Sequence, residues 1–170
     1  MKNFAVAKQE IIKISLINFI GISLAILVPI LSHITDIPFY YLEPMRLISI
    51  LIYISFNKKN GLIYALYMPL LNTLVTGHPT FFKSVLIATE LLINLYLIDF
   101  LSRKSKLAFT LQLFISIVLS KIYYYLLKLL LLNVSILQGE LFSSDLTIQL
   151  VFIIINVIII ISLYRTFKFF

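Results

Sequence analysis

Residues 146–164 read LTIQLVFIIINVIIIISLY, an apolar stretch without a single charged side chain. A helix needs about 20 predominantly apolar residues to cross the hydrocarbon core of a bilayer, and this stretch has that length. A stretch so long, without turn residues inside it, favours a helix over the short alternating strands of a barrel. It therefore predicts a transmembrane helix.

The whole chain has the same character. Apolar residues make up 61% of its 170 residues, charged residues 12%, and the mean hydropathy is +1.06. Average soluble domains are about 45–50% apolar and about 25% charged. A soluble fold of this size could not bury so much hydrocarbon. The sequence predicts one all-α integral membrane domain over residues 1–170, with membrane lipid as its solvent.

Short polar segments divide the chain into six predicted transmembrane helices, at approximately 14–32, 40–56, 62–76, 80–101, 107–132 and 146–164. Basic residues precede the first helix, follow the last, and occupy the second and fourth connections. The other connections carry acidic or neutral residues. The positive-inside rule then predicts a multi-pass, six-helix bundle with both termini in the cytoplasm. The net charge of +7 is explained by this topology, so no nucleic-acid partner is predicted.

Ionisable side chains within the predicted helices mark a candidate site. Such groups are costly at membrane depth and usually face a cavity or a partner. Arg46, Lys83, Glu90, Lys121 and Lys128 all fall in the predicted outer half of the membrane. Amides and tyrosines at helical spacing add polar stripes. We interpret the set as a small-molecule site open to the outside, formed by Arg46, Asn72, His78, Lys83, Glu90, Asn94, Lys121, Tyr125, Lys128, Gln149 and Asn156.

The same residues also permit a structural interpretation. Lys83 and Lys128 could snorkel to the headgroups, and His78 could be a turn residue before Pro79. Charged residues could instead neutralise one another inside the bundle, as the pairs Glu90 with Lys121 and Glu43 with Arg46.

Small residues in the first predicted helix mark a possible docking face. Gly21, Ser23 and Ala25 lie in a small-xxx-small stretch, and small residues let another helix approach closely. The alternative is packing within the bundle itself.

Catalytic and cofactor motifs are absent from the sequence. It contains no His-Glu-x-x-His, no Gly-x-Ser-x-Gly and no phosphate loop, so we predict neither an enzyme nor an ATP-hydrolysing chain. The absence of cysteine excludes disulfides and zinc–thiolate sites, and two histidines alone cannot hold a metal. No cofactor is predicted.

Three stretches carry a family resemblance: 42–46 (LEPMR), 77–79 (GHP) and 83–91 (KSVLIATEL). In these stretches the chain resembles the S components of energy-coupling factor (ECF) vitamin importers. The resemblance implies a subunit that captures a micronutrient from outside and delivers it through a transmembrane coupling subunit and two ATPases. It also implies that the stretch from Gly21 to Ala25 contacts the coupling subunit, with glycine where alanine is more usual, and that the outer loops close over the ligand.

The substrate stays open at this point. Nickel and cobalt members use an N-terminal histidine, which this chain lacks, and no tryptophan is available for stacking. The cations suggest a carboxylate or phosphate on the ligand, whereas Glu43 and Glu90 could equally recognise a cationic ring. Two other classes compete: a ligand-free scaffold like the membrane subunit of the rod-shape-determining complex, and an intramembrane enzyme using Glu90 and His78.

Overall fold

All regular structure that is described in this protein is helical. The computed structural model describes residues 15–16, 18–24, 27–28, 34, 39–77, 79–142 and 145–169. A 3-10 helix at Phe39–Leu42 precedes five α-helices, and no strand occurs within these ranges. The helices are α1 (Pro44–Ser55), α2 (Lys58–Thr76), α3 (Phe81–Lys104), α4 (Phe109–Asn133) and α5 (Leu146–Phe169).

Three of these helices are long and apolar enough to cross a bilayer. They are α3, α4 and the first 21 residues of α5, Leu146–Thr166. This confirms an all-helical, membrane-type chain, while the six predicted spans exceed the three found within the described residues. The first predicted helix, 14–32, lies partly outside those residues, although 15–16, 18–24 and 27–28 are helical. The six-span arrangement therefore stays a proposal.

The second predicted helix, 40–56, is interrupted. Only Pro44–Ser55 is α-helical, and its 12 residues extend about 18 Å, too short for a span. Glu43 has φ 44° and ψ 59°, a left-handed conformation that separates α1 from the 3-10 helix before it. The break follows from Pro44, because proline favours the first helical position and disfavours right-handed helix in the residue before it.

Helix α2 starts four residues earlier than the sequence predicted. The side chain of Asn57 accepts a hydrogen bond from the backbone N–H of Lys59 at 2.8 Å and caps the helix. This cap allows Lys58 and Lys59 to join the helix instead of remaining in a loop. With two lysines in its first turn and several polar residues along its length, α2 is not among the span candidates.

Helix α1 is the centre of the molecule. It packs against α2, α3 and α5, and the side chains of Ile50 and Ile52 are fully buried although they do not share one face. A helix that is buried on all sides is apolar all round. The main core joins α1 to the other helices through Ile50, Leu51, Leu91, Leu95, Leu113, Ile117, Ile153, Val157 and Ile160.

The basic connections meet at one end of the helix bundle, which we call the basic end. Asp99, near the end of α3, pairs with Lys58 at the start of α2 and with Arg103 at 2.8 Å. The ring of Phe109, which begins α4, lies 5.5 Å from the ring of Tyr164 near the end of α5. The α1–α2 and α3–α4 connections and the end of α5 therefore share this end.

Gly61 allows α1 and α2 to pack closely after their short turn. A Cβ atom placed on Gly61 would lie 2.6 Å from the Cβ and 2.7 Å from the Cα of Tyr53. The Cα atom is backbone and cannot rotate away, so a side chain at this position would force the two helices apart.

We expect Gly61→Ala to lower the free energy of unfolding by about 1–3 kcal/mol, the usual range for overpacking a filled interior. Unfolding in detergent, followed by circular dichroism, measures this. Leu66→Ala is the control, since Leu66 lies on α2 with 52% of its surface exposed. A Gly61→Ala variant as stable as the control would contradict the close packing.

Candidate functional site

Four ionisable side chains from three helices form one cluster, which we call the charge cluster. Glu43 and Arg46 come from the start of α1, Glu90 from α3 and Lys121 from α4. Arg46 Nη2 donates to Glu90 Oε1, and Lys121 Nζ donates to Glu43 Oε1. Arg46 Nε lies 3.0 Å from Glu43 Oε2, and Lys121 Nζ lies 3.9 Å from Glu90 Oε1. Each acid therefore faces both bases.

The charge cluster lies near mid-depth of the candidate spans. Lys121 is the middle residue of α4, which has 25 residues, and Glu90 lies in the middle third of α3. The sequence interpretation placed both in the outer half of their helices. In the structure Lys121 lies at the middle of α4, and the depth of both residues in a membrane stays a prediction. Helix α1 therefore begins inside the bundle, at the depth where the cluster lies.

Mutual neutralisation explains how these charges are accommodated. The side chains of Arg46 and Glu90 are 2% and 5% exposed, while those of Lys121 and Glu43 are 17% and 25% exposed. Two carboxylates and two cations give no formal net charge. Burying an ion is tolerated only when partners and hydrogen bonds compensate its desolvation. Both pairings that the sequence left open, Glu43 with Arg46 and Glu90 with Lys121, are present.

The backbone at Glu43 directs its carboxylate into the cluster. Its carbonyl accepts the N–H groups of Arg46 at 2.9 Å and Leu47 at 3.2 Å, which starts α1. Its side chain makes no capping hydrogen bond and reaches Arg46 and Lys121 instead. The positive end of the α1 dipole also favours an acid at this position. A left-handed non-glycine residue is uncommon, and such strain is concentrated at functional sites.

Aromatic side chains of α4 extend the charge cluster towards α5. Lys121 Nζ lies 5.9 Å from the centre of the Tyr124 ring, within the range of a cation–π contact. The next residue, Tyr125, packs edge-on against Tyr124 at 5.3 Å and donates its hydroxyl to Gln149 Oε1. This hydrogen bond joins the two helices next to the cluster.

The connection between α4 and α5 folds back over the same region. The ring of Phe142 lies 4.9 Å from the ring of Tyr125, and Lys128 Nζ donates to the carbonyl of Leu141 at 2.8 Å. Lys128 is 6% exposed, so the protein covers most of this residue, and its snorkelling to the headgroups stays a prediction. Residues 134–142 are therefore held against α4, close to the aromatic side chains that adjoin the cluster.

The other predicted site residues are more dispersed. Asn94 lies one turn beyond Glu90 and donates to Ser116 Oγ at 3.2 Å. Asn156 is 1% exposed, and Asn72 is buried in α2. Lys83 is partly exposed in the first turn of α3, two turns from Glu90. His78 lies outside the described residues.

Sequence reasoning left Glu43 and Tyr124 out of the predicted site. Glu43 lay in the predicted helix 40–56 and was considered as a partner of Arg46 or as a group that recognises a cationic ring, but its contact with Lys121 was not predicted. The signal that could have placed Glu43 in the site is the Glu-Pro-x-Arg spacing of residues 43–46, in which the acid directly precedes a helix start.

The predicted docking face is used differently in the structure. Gly21 is buried, and a Cβ atom there would lie 2.5 Å from the hydroxyl of Tyr64 and 2.7 Å from Cγ2 of Ile48. The close approach that glycine permits is therefore made by α1 and α2 of the same chain. Ser23 is partly exposed, and Ala25 lies outside the described residues. Gly21 is therefore covered by its own chain, as in the alternative of packing within the bundle, and the docking role of this stretch stays a prediction.

The site combines ionic, hydrogen-bonding and aromatic groups in one buried region, so it can recognise a small polar molecule by charge and by ring contacts. Comparisons with family models, with curated proteins and with solved structures find no match for this chain.

Removing Arg46 and Glu90 from the charge cluster should destabilise the protein non-additively, as expected for two side chains that pair directly. We expect Arg46→Leu and Glu90→Leu each to lower the free energy of unfolding in detergent by about 3–5 kcal/mol, because each leaves a buried charge without its partner. The double variant should cost clearly less than the two single costs together, because Glu43 and Lys121 still pair.

Lys58→Met is the control, because the Lys58 side chain is 56% exposed beside Asp99. An exposed pair contributes at most about 1 kcal/mol. Additive costs for Arg46→Leu and Glu90→Leu would contradict the direct pairing of these two side chains.

Proposed function

We propose that this chain is the substrate-capturing membrane subunit of an ECF-type importer. It binds a vitamin or a related micronutrient from the outside and delivers it through a transmembrane coupling subunit and two ATPases. The observation that carries the proposal is the charge cluster: a buried set of ionisable groups at mid-depth, adjoined by tyrosines. Intramembrane ionisable residues are functional-site candidates by default. The resemblance in 42–46, 77–79 and 83–91 supports it, since these stretches contribute Glu43, Arg46 and Glu90.

The proposed membrane arrangement has six spans and both termini in the cytoplasm of a bacterium. The gathering of the α1–α2 and α3–α4 connections at the basic end supports it, because basic connections stay on the cytoplasmic side. The opposite end, with 77–80 and 134–142, then faces outwards. In this arrangement the 3-10 helix Phe39–Leu42 continues the short α1 towards the outer surface.

Ligand capture would use the aromatic side of the charge cluster. Tyr124 and Tyr125 offer ring faces and hydroxyls, Gln149 offers an amide, and Lys121 offers a charge beside them. Residues 134–142 pack against this side through Phe142 and Leu141, as a loop that closes over a ligand would. Delivery requires partners, because the sequence contains no phosphate loop with which to use ATP.

A scaffold subunit without a ligand is the second candidate. The observation that favours it is the charge balance, since Glu43, Arg46, Glu90 and Lys121 neutralise one another without any outside group. In that case the cluster only holds α1, α3 and α4 together. The scaffold proposal predicts a purified protein that carries no small molecule.

We expect native mass spectrometry of the chain, purified gently from its own membrane, to show a bound small molecule or the coupling subunit with two ATPases. A ligand-free chain accompanied by cell-shape or cell-wall subunits would instead favour the scaffold. A ligand-free chain with no partner would contradict the importer.

Tyr125→Phe should weaken retention of that molecule by about 10-fold, because Gln149 loses its hydroxyl partner beside the ligand. The matched control is Tyr96→Phe, since Tyr96 is 66% exposed and stacks on Phe100 away from the cluster. Equal ligand retention by both variants, measured by equilibrium dialysis of the identified compound, would remove Tyr125 from the site.

A further inference from the structure

We propose that the site takes a monocarboxylate, and that Glu43 occupies the position of the ligand's carboxylate in this structure. The inference names the ligand class of the proposed function and rests on it. It follows from the charges of the cluster, from the conformation of Glu43 and from one hydrogen-bond donor of Arg46.

The charges of the cluster fix the charge of the ligand. When Glu43 leaves, Arg46, Lys121 and Glu90 remain, with a net charge of +1. One carboxylate restores neutrality at this depth, whereas a cationic ligand or a dianion leaves a net charge in an apolar bundle, which is costly. Glu90 is the permanent partner of Arg46, because its side chain is only 5% exposed and binds Nη2 directly.

Glu43 is the acid that can be displaced. Its side chain is the most exposed of the four, at 25%, and it belongs to the residue between the 3-10 helix Phe39–Leu42 and α1. Its left-handed backbone before Pro44 is unfavourable. Release of the carboxylate from Arg46 and Lys121 frees this residue to leave the left-handed conformation, which lowers the cost of exchanging Glu43 for another carboxylate.

Arg46 keeps a donor for a ligand. Its Nη2 donates to Glu90, its Nε lies 3.0 Å from Glu43 Oε2 without hydrogen-bond geometry, and its buried Nη1 has no hydrogen-bond partner among the described residues. A buried unpaired donor is rare in native proteins. A ligand's carboxylate is not tethered to the backbone of α1, so both of its oxygens can turn towards the guanidinium. It can therefore accept a hydrogen bond from Nη1, which Glu43 does not.

The test is chemical rescue of the full chain in lipid nanodiscs. Glu43→Ala removes the equivalent of an acetate ion, so sodium acetate is the probe and acetamide is its neutral analogue. Sodium chloride at equal ionic strength is the salt control. We expect acetate to raise the melting temperature of Glu43→Ala by about 5 °C, because a ligand that binds only the folded state stabilises it. Acetamide and chloride should not do so, and the wild type should not respond.

Asp99→Ala is the matched control variant. It also removes a carboxylate from two cations, Lys58 and Arg103, but at the exposed basic end, where solvent screens the remaining charge. We expect no shift specific to acetate in this variant. Equal shifts with acetate and acetamide, or equal shifts in Glu43→Ala and the wild type, would overturn the proposal.

Glu43→Gln decides the question if Glu43→Ala does not fold. The neutral amide keeps the side-chain length and competes poorly for Lys121, so acetate should stabilise this variant and acetamide should not. The outcomes also distinguish a failure of the carboxylate proposal from a failure of the proposed importer function. Acetate rescue in a protein that carries neither a micronutrient nor the coupling subunit and ATPases would support the carboxylate position and contradict the importer. A neutral or cationic compound found by native mass spectrometry would support the importer and overturn the carboxylate.

Discussion

The guanidinium of Arg46 is the charge on which the rest of the site depends. It lies inside an apolar helix bundle with 2% of its side chain exposed, and it cannot lose its proton to escape the cost of burial. A carboxylate is therefore needed beside it, and in this structure two carboxylates from different parts of the chain face it. Glu90 supplies one from α3 and Glu43 supplies the other from the start of α1. Lys121 then balances the second acid.

The interruption of the second predicted helix lies at one member of the charge cluster. Pro44 breaks the helix at Glu43, and from this left-handed residue the side chain reaches both Arg46 and Lys121. The result is a short α1 that starts at mid-depth and is surrounded by other helices. A helix that begins inside a bundle presents its positive end to whatever acid lies there. The acid is Glu43 in this structure and, in our proposal, a ligand's carboxylate in the loaded protein.

Sequence reasoning reached the helical class and the charged residues, because both are local properties. Apolar length identified α3, α4 and α5, and the cost of burying charge singled out Arg46, Glu90 and Lys121. It offered Glu43 as a partner of Arg46 but did not predict the contact of Glu43 with Lys121, and it left open the packing of Gly21, which the structure places against Ile48 and Tyr64. It could not identify the partner of Lys128, because the carbonyl of Leu141 that accepts its hydrogen bond belongs to a connection with no periodic pattern.

The sequence by itself predicted an all-helical, membrane-type chain, because composition sets how much apolar surface must be covered, and three described helices are long and apolar enough to cross a bilayer. It also determined which residues needed charged partners, because charge and predicted depth can be read from the sequence. Only the tertiary structure decided which charged residues pair with one another. Glu43 and Lys121 are separated by 78 positions in the chain, and their contact depends on how α1 and α4 pack and on the break at Glu43. Long-range pairing depends on packing geometry, which residue spacing along a single helix does not contain.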